Sequence, residues 1–166
     1  MRLAEALMER SDLQRRVESL RSRIQASARY QEGEDPAEDA AALLQEAVET
    51  VDRLAGLVTR INLTNTAARL HDGTPLTSAL ARRDALRTRH GILVDAADAA
   101  SGRGGGGGSY APRQMRSELR QIAALPIRDV RDRADDTAKE LRELDARIQR
   151  ANWEVELVDE VDGTAA

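Results

Sequence analysis

Four stretches of this chain carry apolar residues at alternating steps of three and four, the spacing of one face of an α-helix, and that pattern constrains the fold more than any other feature. From Leu3 the first stretch runs through Ala6, Leu13, Val17, Leu20 and Ile24, predicting a helix over about residues 2–30 whose seam has one gap, at Arg10. The second seam is read as Leu44, Val48, Val51, Ala55 and Val58, followed by Asn62 and Asn65, in a helix over 36–70. Asp35 is placed to cap that helix, with Pro36 at its first position and Glu38 closing a capping box. Thr74 and Pro75 open a third helix over 75–100, with Ala79, Arg83, Leu86, His90, Leu93 and Ala97 on its seam. The fourth, over 127–152, has the cleanest seam: Ile127, Val130, Ala134, Thr137, Leu141, Leu144, Ile148 and Ala151.

These stretches predict an all-α chain, an elongated antiparallel bundle of about four long amphipathic helices forming one domain over 1–166. Residues 101–109 (SGRGGGGGS) cannot hold a helix and are expected to form a flexible Gly-rich loop. A secondary expectation is a short β pairing near 115–122 and 154–158, where MRSELRQI and the alternation Trp153, Val155, Leu157 have period-two character. Only 2% of residues are aromatic and none is Phe, so the core must be built from Leu, Val, Ile and Ala. Long helices with so few aromatics seldom cover their apolar stripes alone, which points to a homo-oligomer.

Charge excludes several functions. The net charge of −4 is made of interleaved acids and bases, the pattern of solvated helix faces and not of a phosphate-binding stripe, so nucleic acid is not an expected partner. There is no cysteine, hence no disulfide, thiol nucleophile or thiolate metal site. The two histidines, His71 and His90, lack the carboxylate three residues upstream that a di-iron bundle uses, and no metal is expected. The glycine run follows no predicted strand and ends in no Lys-Ser or Lys-Thr, so it is not read as a nucleotide loop. No catalytic residue and no cofactor are inferred. The opening Met1-Arg2-Leu3-Ala4-Glu5 reaches charge at once, and the longest apolar run, 40–44, is far short of the ~20 residues of a membrane span. A cytoplasmic address is expected, and a membrane is not the expected partner.

One constellation is worth carrying forward. If the four helices run up and down in order, Arg10, Asn62, Asn65 and Arg83 fall at one level, roughly 9–13 Å from one end at ~1.5 Å per residue. Asp145 reaches the same level on the fourth helix, with Asp84, Asp12 and Glu9 beside the arginines in sequence. Such a polar layer either fixes helix register or forms a small pocket for an anionic ligand or a hard cation. The candidate ligand-binding residues are therefore Arg10, Asn62, Asn65, Arg83, Asp84 and Asp145, with Trp153 as a cap.

The segments 3–20 (LAEALMERSDLQRRVESL), 31–39 (QEGEDPAED), 60–65 (RINLTN), 80–86 (LARRDAL) and 141–153 (LRELDARIQRANW) together resemble the septicolysin-like family of small bacterial helical proteins. The residues that prompt the likeness, Arg10, Asp12, Asn62, Asn65, Arg83, Asp84, Asp145, Asn152 and Trp153, largely coincide with the polar layer. The resemblance implies a pore-forming cytolysin. Three functions thus stand side by side: a non-enzymatic, self-associating helical interaction protein, a cytolysin, and a binder of small anions or cations.

Overall fold

The computed structural model describes residues 1–102 and 122–159, and among them the chain is all-α. Four helices follow one another: α1 Leu3–Ser27, α2 Ala40–Ala67, α3 Leu76–Ala100 and α4 Ile127–Glu154. The chain divides into two compact units, one of residues 1–77 and 149–166 and one of residues 78–148. Residues 103–109 of the expected glycine loop, and 115–121 of the expected β partner, lie outside the described residues.

In the first unit α1 and α2 form a hairpin. The α1 seam is buried as its spacing predicts, with Leu3, Ala6, Leu13 and Leu20 in the core. Each such leucine contributes about 1.5–3 kcal/mol relative to an exposed one. Three ion pairs fix the antiparallel register: Glu9 with Arg53, Arg16 with Glu46, and Arg23 with Glu38. The steps of seven along α1 are met by a step of seven back along α2, from Arg53 to Glu46, and then one of eight to Glu38, just before α2 begins. Exposed pairs of this kind stabilise by only ~0.2–1 kcal/mol each, so their role is to choose the register that the leucines then fill. Arg23 Nε donates to Glu38 Oε2 over 2.8 Å, and that bond holds the Glu38 carboxyl below its ordinary value.

Helix α2 departs from its sequence reading in two ways. Its cap is Asp39, whose Oδ1 accepts from the N–H groups of Ala41 (2.9 Å) and Ala42 (3.1 Å); Asp35 and Pro36 precede the helix. Glu38 explains the shift, because its carboxylate is engaged by Arg23 of α1 and cannot close a capping box on a helix begun at Pro36. The turn before it needs Gly33, whose φ of +93° suits glycine alone. The core face of α2 is also not the predicted seam. Leu43, Leu57, Ile61 and Thr64 are buried, with Ala47, Thr50 and Leu54 half-buried between them. This face lies one residue ahead of the seam read from sequence, a rotation of about 100°.

The rest of the first unit ties its ends together. Gly73, at φ +81°, turns the chain between α2 and α3, where the Leu70 N–H donates to Thr74 O and the Leu76 N–H to Ala68 O. After α4 the tail pairs with the start of α1: Leu3 N–H donates to Val155 O and Leu157 N–H to Met1 O, both 2.9 Å, around an antiparallel bridge from Arg2 to Glu156. The 154–158 segment thus does form β-type pairing, and its partner is the first residues of the chain. Buried Thr64 completes the seal, donating to Arg60 O (2.8 Å) and accepting the Val158 N–H (3.0 Å).

In the second unit α3 and α4 carry the seams their spacing predicts. Leu93 and Ala97, near the end of α3, share a core with Val130 and Ala134, near the start of α4, as antiparallel neighbours do. Leu86 and Leu144 are buried as well. Arg82 pairs with Glu140, and Arg87 reaches Asp145 over 3.4 Å.

Candidate functional site

The polar side chains singled out in the sequence fall into two sets. In the second unit Arg83 is three-quarters buried and turns to its neighbour Asp84, donating from Nε (3.0 Å) and Nη2 (2.9 Å). Asp84 also lies 3.8 Å from Arg87, which extends to Asp145. Arg83, Asp84, Arg87 and Asp145 therefore form a chain of alternating charge.

In the first unit the four candidates separate. Asn62 is exposed, because the true core face of α2 is rotated away from it, and Thr64 takes the buried polar position on that helix. Asn65 is half-buried. Arg10 and Trp153, by contrast, line one open groove of about 520 Å³ between the first half of α1 and the last turn of α4. Asp12, Arg15 and Asn152 line it too.

The electrostatics of this groove are unbalanced. Asp12 is taken by Arg15 and Glu9 by Arg53, so the carboxylates nearest Arg10 in sequence are already paired. Among the described residues the Arg10 side chain has no hydrogen bond or ion pair, and its Nε is buried without a partner. A buried N–H left so costs about 1–3 kcal/mol. Asn152 is 8% exposed as a whole residue and makes no side-chain hydrogen bond among the described residues, but unlike the Arg10 Nε its amide is not sealed from solvent. Trp153 remains 54% exposed beside them. Sequence reasoning found Arg10 and Trp153 but left Asn152 off the candidate list. Its signals were its place among the residues of the family likeness and its position one residue beyond the Ala151 seam, at the edge of the core face.

A second feature of the first unit is apolar. The seam read from the α2 sequence exists, and it faces outward: Leu44, Val48 and Val51 are 55%, 50% and 47% exposed. Ala41 and Ala55 continue it at exposed positions, and Val58 at a half-buried one. Helix α2 therefore has two apolar stripes, of which α1 covers one.

These features define a small all-helical protein with a polar groove and an uncovered apolar helix face, and with no helix among its described residues long and apolar enough to cross a membrane. The chain belongs to the Family of unknown function (DUF6847), whose model matches residues 10–157. It is similar to a solved structure described as a functionally unknown conserved protein from Corynebacterium diphtheriae. The two are 40% identical, the match covers 95% of this chain and 99% of that one, and the TM-score is 0.85. No curated protein matches the chain.

The family match corrects the resemblance to septicolysin-like proteins, and the cytolysin it implied falls with it. The segments that carried the likeness are mostly amphipathic helix rich in Leu, Ala, Arg and Glu. Such faces recur wherever two helices pack, so they report packing more than kinship.

Proposed function

We propose that this chain is a helical interaction protein that self-associates through the outward stripe of α2. The observation that carries the reading is the spacing of the stripe: Ala41, Leu44, Val48, Val51, Ala55 and Val58 step by three, four, three, four and three. That series reads the same in either direction. Two copies of α2 crossing antiparallel about a twofold axis between residues 49 and 50 would place Leu44 opposite Ala55, Val48 opposite Val51 and Ala41 opposite Val58. Each apolar side chain then meets an apolar side chain, as an isologous interface requires. Gln45, Glu49 and Asp52 flank the stripe and supply the polar rim expected around such a patch.

Burial of four branched side chains per copy, one of them already half-buried in the single chain, is a modest driving force, so the association is expected to depend on concentration. Sedimentation over a hundredfold concentration range should follow a monomer–dimer equilibrium. Val48→Glu, at a position exposed in the single chain, should sediment as a monomer throughout while keeping its helical circular dichroism. A parent chain that stays monomeric, or a Val48→Glu chain that dimerises equally well, overturns the proposal.

A further inference from the structure

The groove between α1 and α4 in the first unit is a separate feature, and we infer that it binds a small organic carboxylate with an apolar body. Its volume of about 520 Å³ lies within the ~300–1,000 Å³ of small-molecule pockets. Its charge selects the ligand's head. Asp12 and Arg15 neutralise one another, which leaves the charge of Arg10 uncompensated among the groove residues. A guanidinium presents a planar fork of donors that a carboxylate accepts two at a time.

Asn152 adds the second polar contact. Its amide, without a hydrogen-bond partner among the described residues and open to solvent, offers both N–H donors and a carbonyl acceptor in the groove that Arg10 lines. A polar group buried as the Arg10 Nε is buried is normally hydrogen-bonded, so its lack of a partner among the described residues marks the place of an absent ligand group. A hard cation does not fit, because the one carboxylate present is already paired and the net charge of the lining is positive.

The remaining wall selects the ligand's body. Leu7, Met8 and Trp153 line the groove, and both Met8 and Trp153 are more than half exposed. An indole face and a thioether form an adaptable apolar surface that a bare inorganic anion would leave uncovered. The ligand class is therefore a carboxylate on an aliphatic or aromatic body, held at its head by Arg10 and Asn152 and along its body by Leu7, Met8 and Trp153.

Trp153 is the only tryptophan in the chain, so its fluorescence reports the groove directly. The probes are hexanoate, acetate, which has the charge without the body, and 1-hexanol, which has the body without the charge. Hexanoate should change the Trp153 emission saturably and bind at least tenfold more tightly than either control. Arg10→Met keeps the length of the side chain and removes its charge; it should fold and weaken hexanoate at least tenfold while leaving 1-hexanol unchanged. Should Arg10→Met fail to fold, Arg10→Lys tests the same point, because it retains charge but loses the fork and should weaken hexanoate severalfold. No saturable response to hexanoate, or equal affinity in the folded Arg10 variant, overturns the inference. These readouts do not involve the α2 stripe, so either idea can fail without the other.

Discussion

Helices α1 and α2 pack against each other over most of their lengths, yet their sequences present different problems. The seam of α1 is a single stripe, and every leucine on it is buried. Helix α2 has two adjacent stripes, Leu43, Leu54, Leu57 and Ile61 on one and Leu44, Val48, Val51 and Ala55 on the other. One of them is left in solvent. Periodicity identifies an apolar face, but when two faces share a helix it does not say which one the neighbouring helix covers. Here the ion pairs decide. Glu46 and Arg53 lie beside the Leu43–Ile61 stripe and meet Arg16 and Glu9 of α1, which turns that face inward.

Truncation on the inward stripe should show the contrast at its largest. Ile61 is 1% exposed, so Ile61→Ala should cost about 2–5 kcal/mol in denaturant unfolding. Val51→Ala, on the outward stripe, should stay within ~0.5 kcal/mol of the parent in the monomer. Equal losses at the two positions would break the distinction between the stripes.

Thr64→Val is expected to have the next largest effect. It preserves shape but leaves the Val158 N–H without its 3.0 Å acceptor, and should cost about 1–3 kcal/mol. Amide exchange at Val158 should accelerate more than exchange in α1, because the bond holds the tail and not the hairpin.

Loss of a cap should be smaller. Asp39→Ala removes the acceptor for two N–H groups and should cost about 0.5–2 kcal/mol, whereas Asp35→Ala, at the residue the sequence pattern favoured, should be nearly silent. Thermal unfolding of the two variants side by side separates the capping assignments.

The smallest effect should be that of pH on the Arg23–Glu38 pair. The bond from Arg23 holds the Glu38 carboxyl below its unfolded value, so its contribution is fully present above the ordinary glutamate range. It is lost as pH falls through the lowered folded value. Glu38→Gln should remove that slight acid sensitivity, which a pH series of unfolding midpoints would reveal as a flatter acid limb.

Much of the fold was legible because three helices carry a single stripe each. Leu13 and Leu20 on α1, Leu86 and Leu93 on α3, and Val130, Ala134, Leu144 and Ile148 on α4 are buried where their spacing places them. What escaped were interactions between distant residues. Nothing local shows that Arg23 will claim Glu38 and so move the α2 cap to Asp39. Nor does local pattern show that the tail beyond Trp153 will pair with Arg2. The candidate site was legible at Arg10, because an arginine on an apolar seam is conspicuous, and at Trp153. Asn152 joins them only when the last turn of α4 meets α1, and Asn62 left the list once α2 was turned by one residue.

Disulfide trapping tests the outward stripe as a self-association face most directly, because the chain has no cysteine of its own. Leu44→Cys and Ala55→Cys proteins would be mixed and oxidised mildly. In the antiparallel twofold arrangement these two positions face each other, so a covalent 44–55 dimer is predicted from the mixture. Two copies of position 44 would instead lie about 16 Å apart along the helix axis, well beyond the ~7 Å limit for a disulfide, so Leu44→Cys alone should remain monomeric. A dimer formed by Leu44→Cys alone, or no covalent dimer from the mixture, would contradict the account.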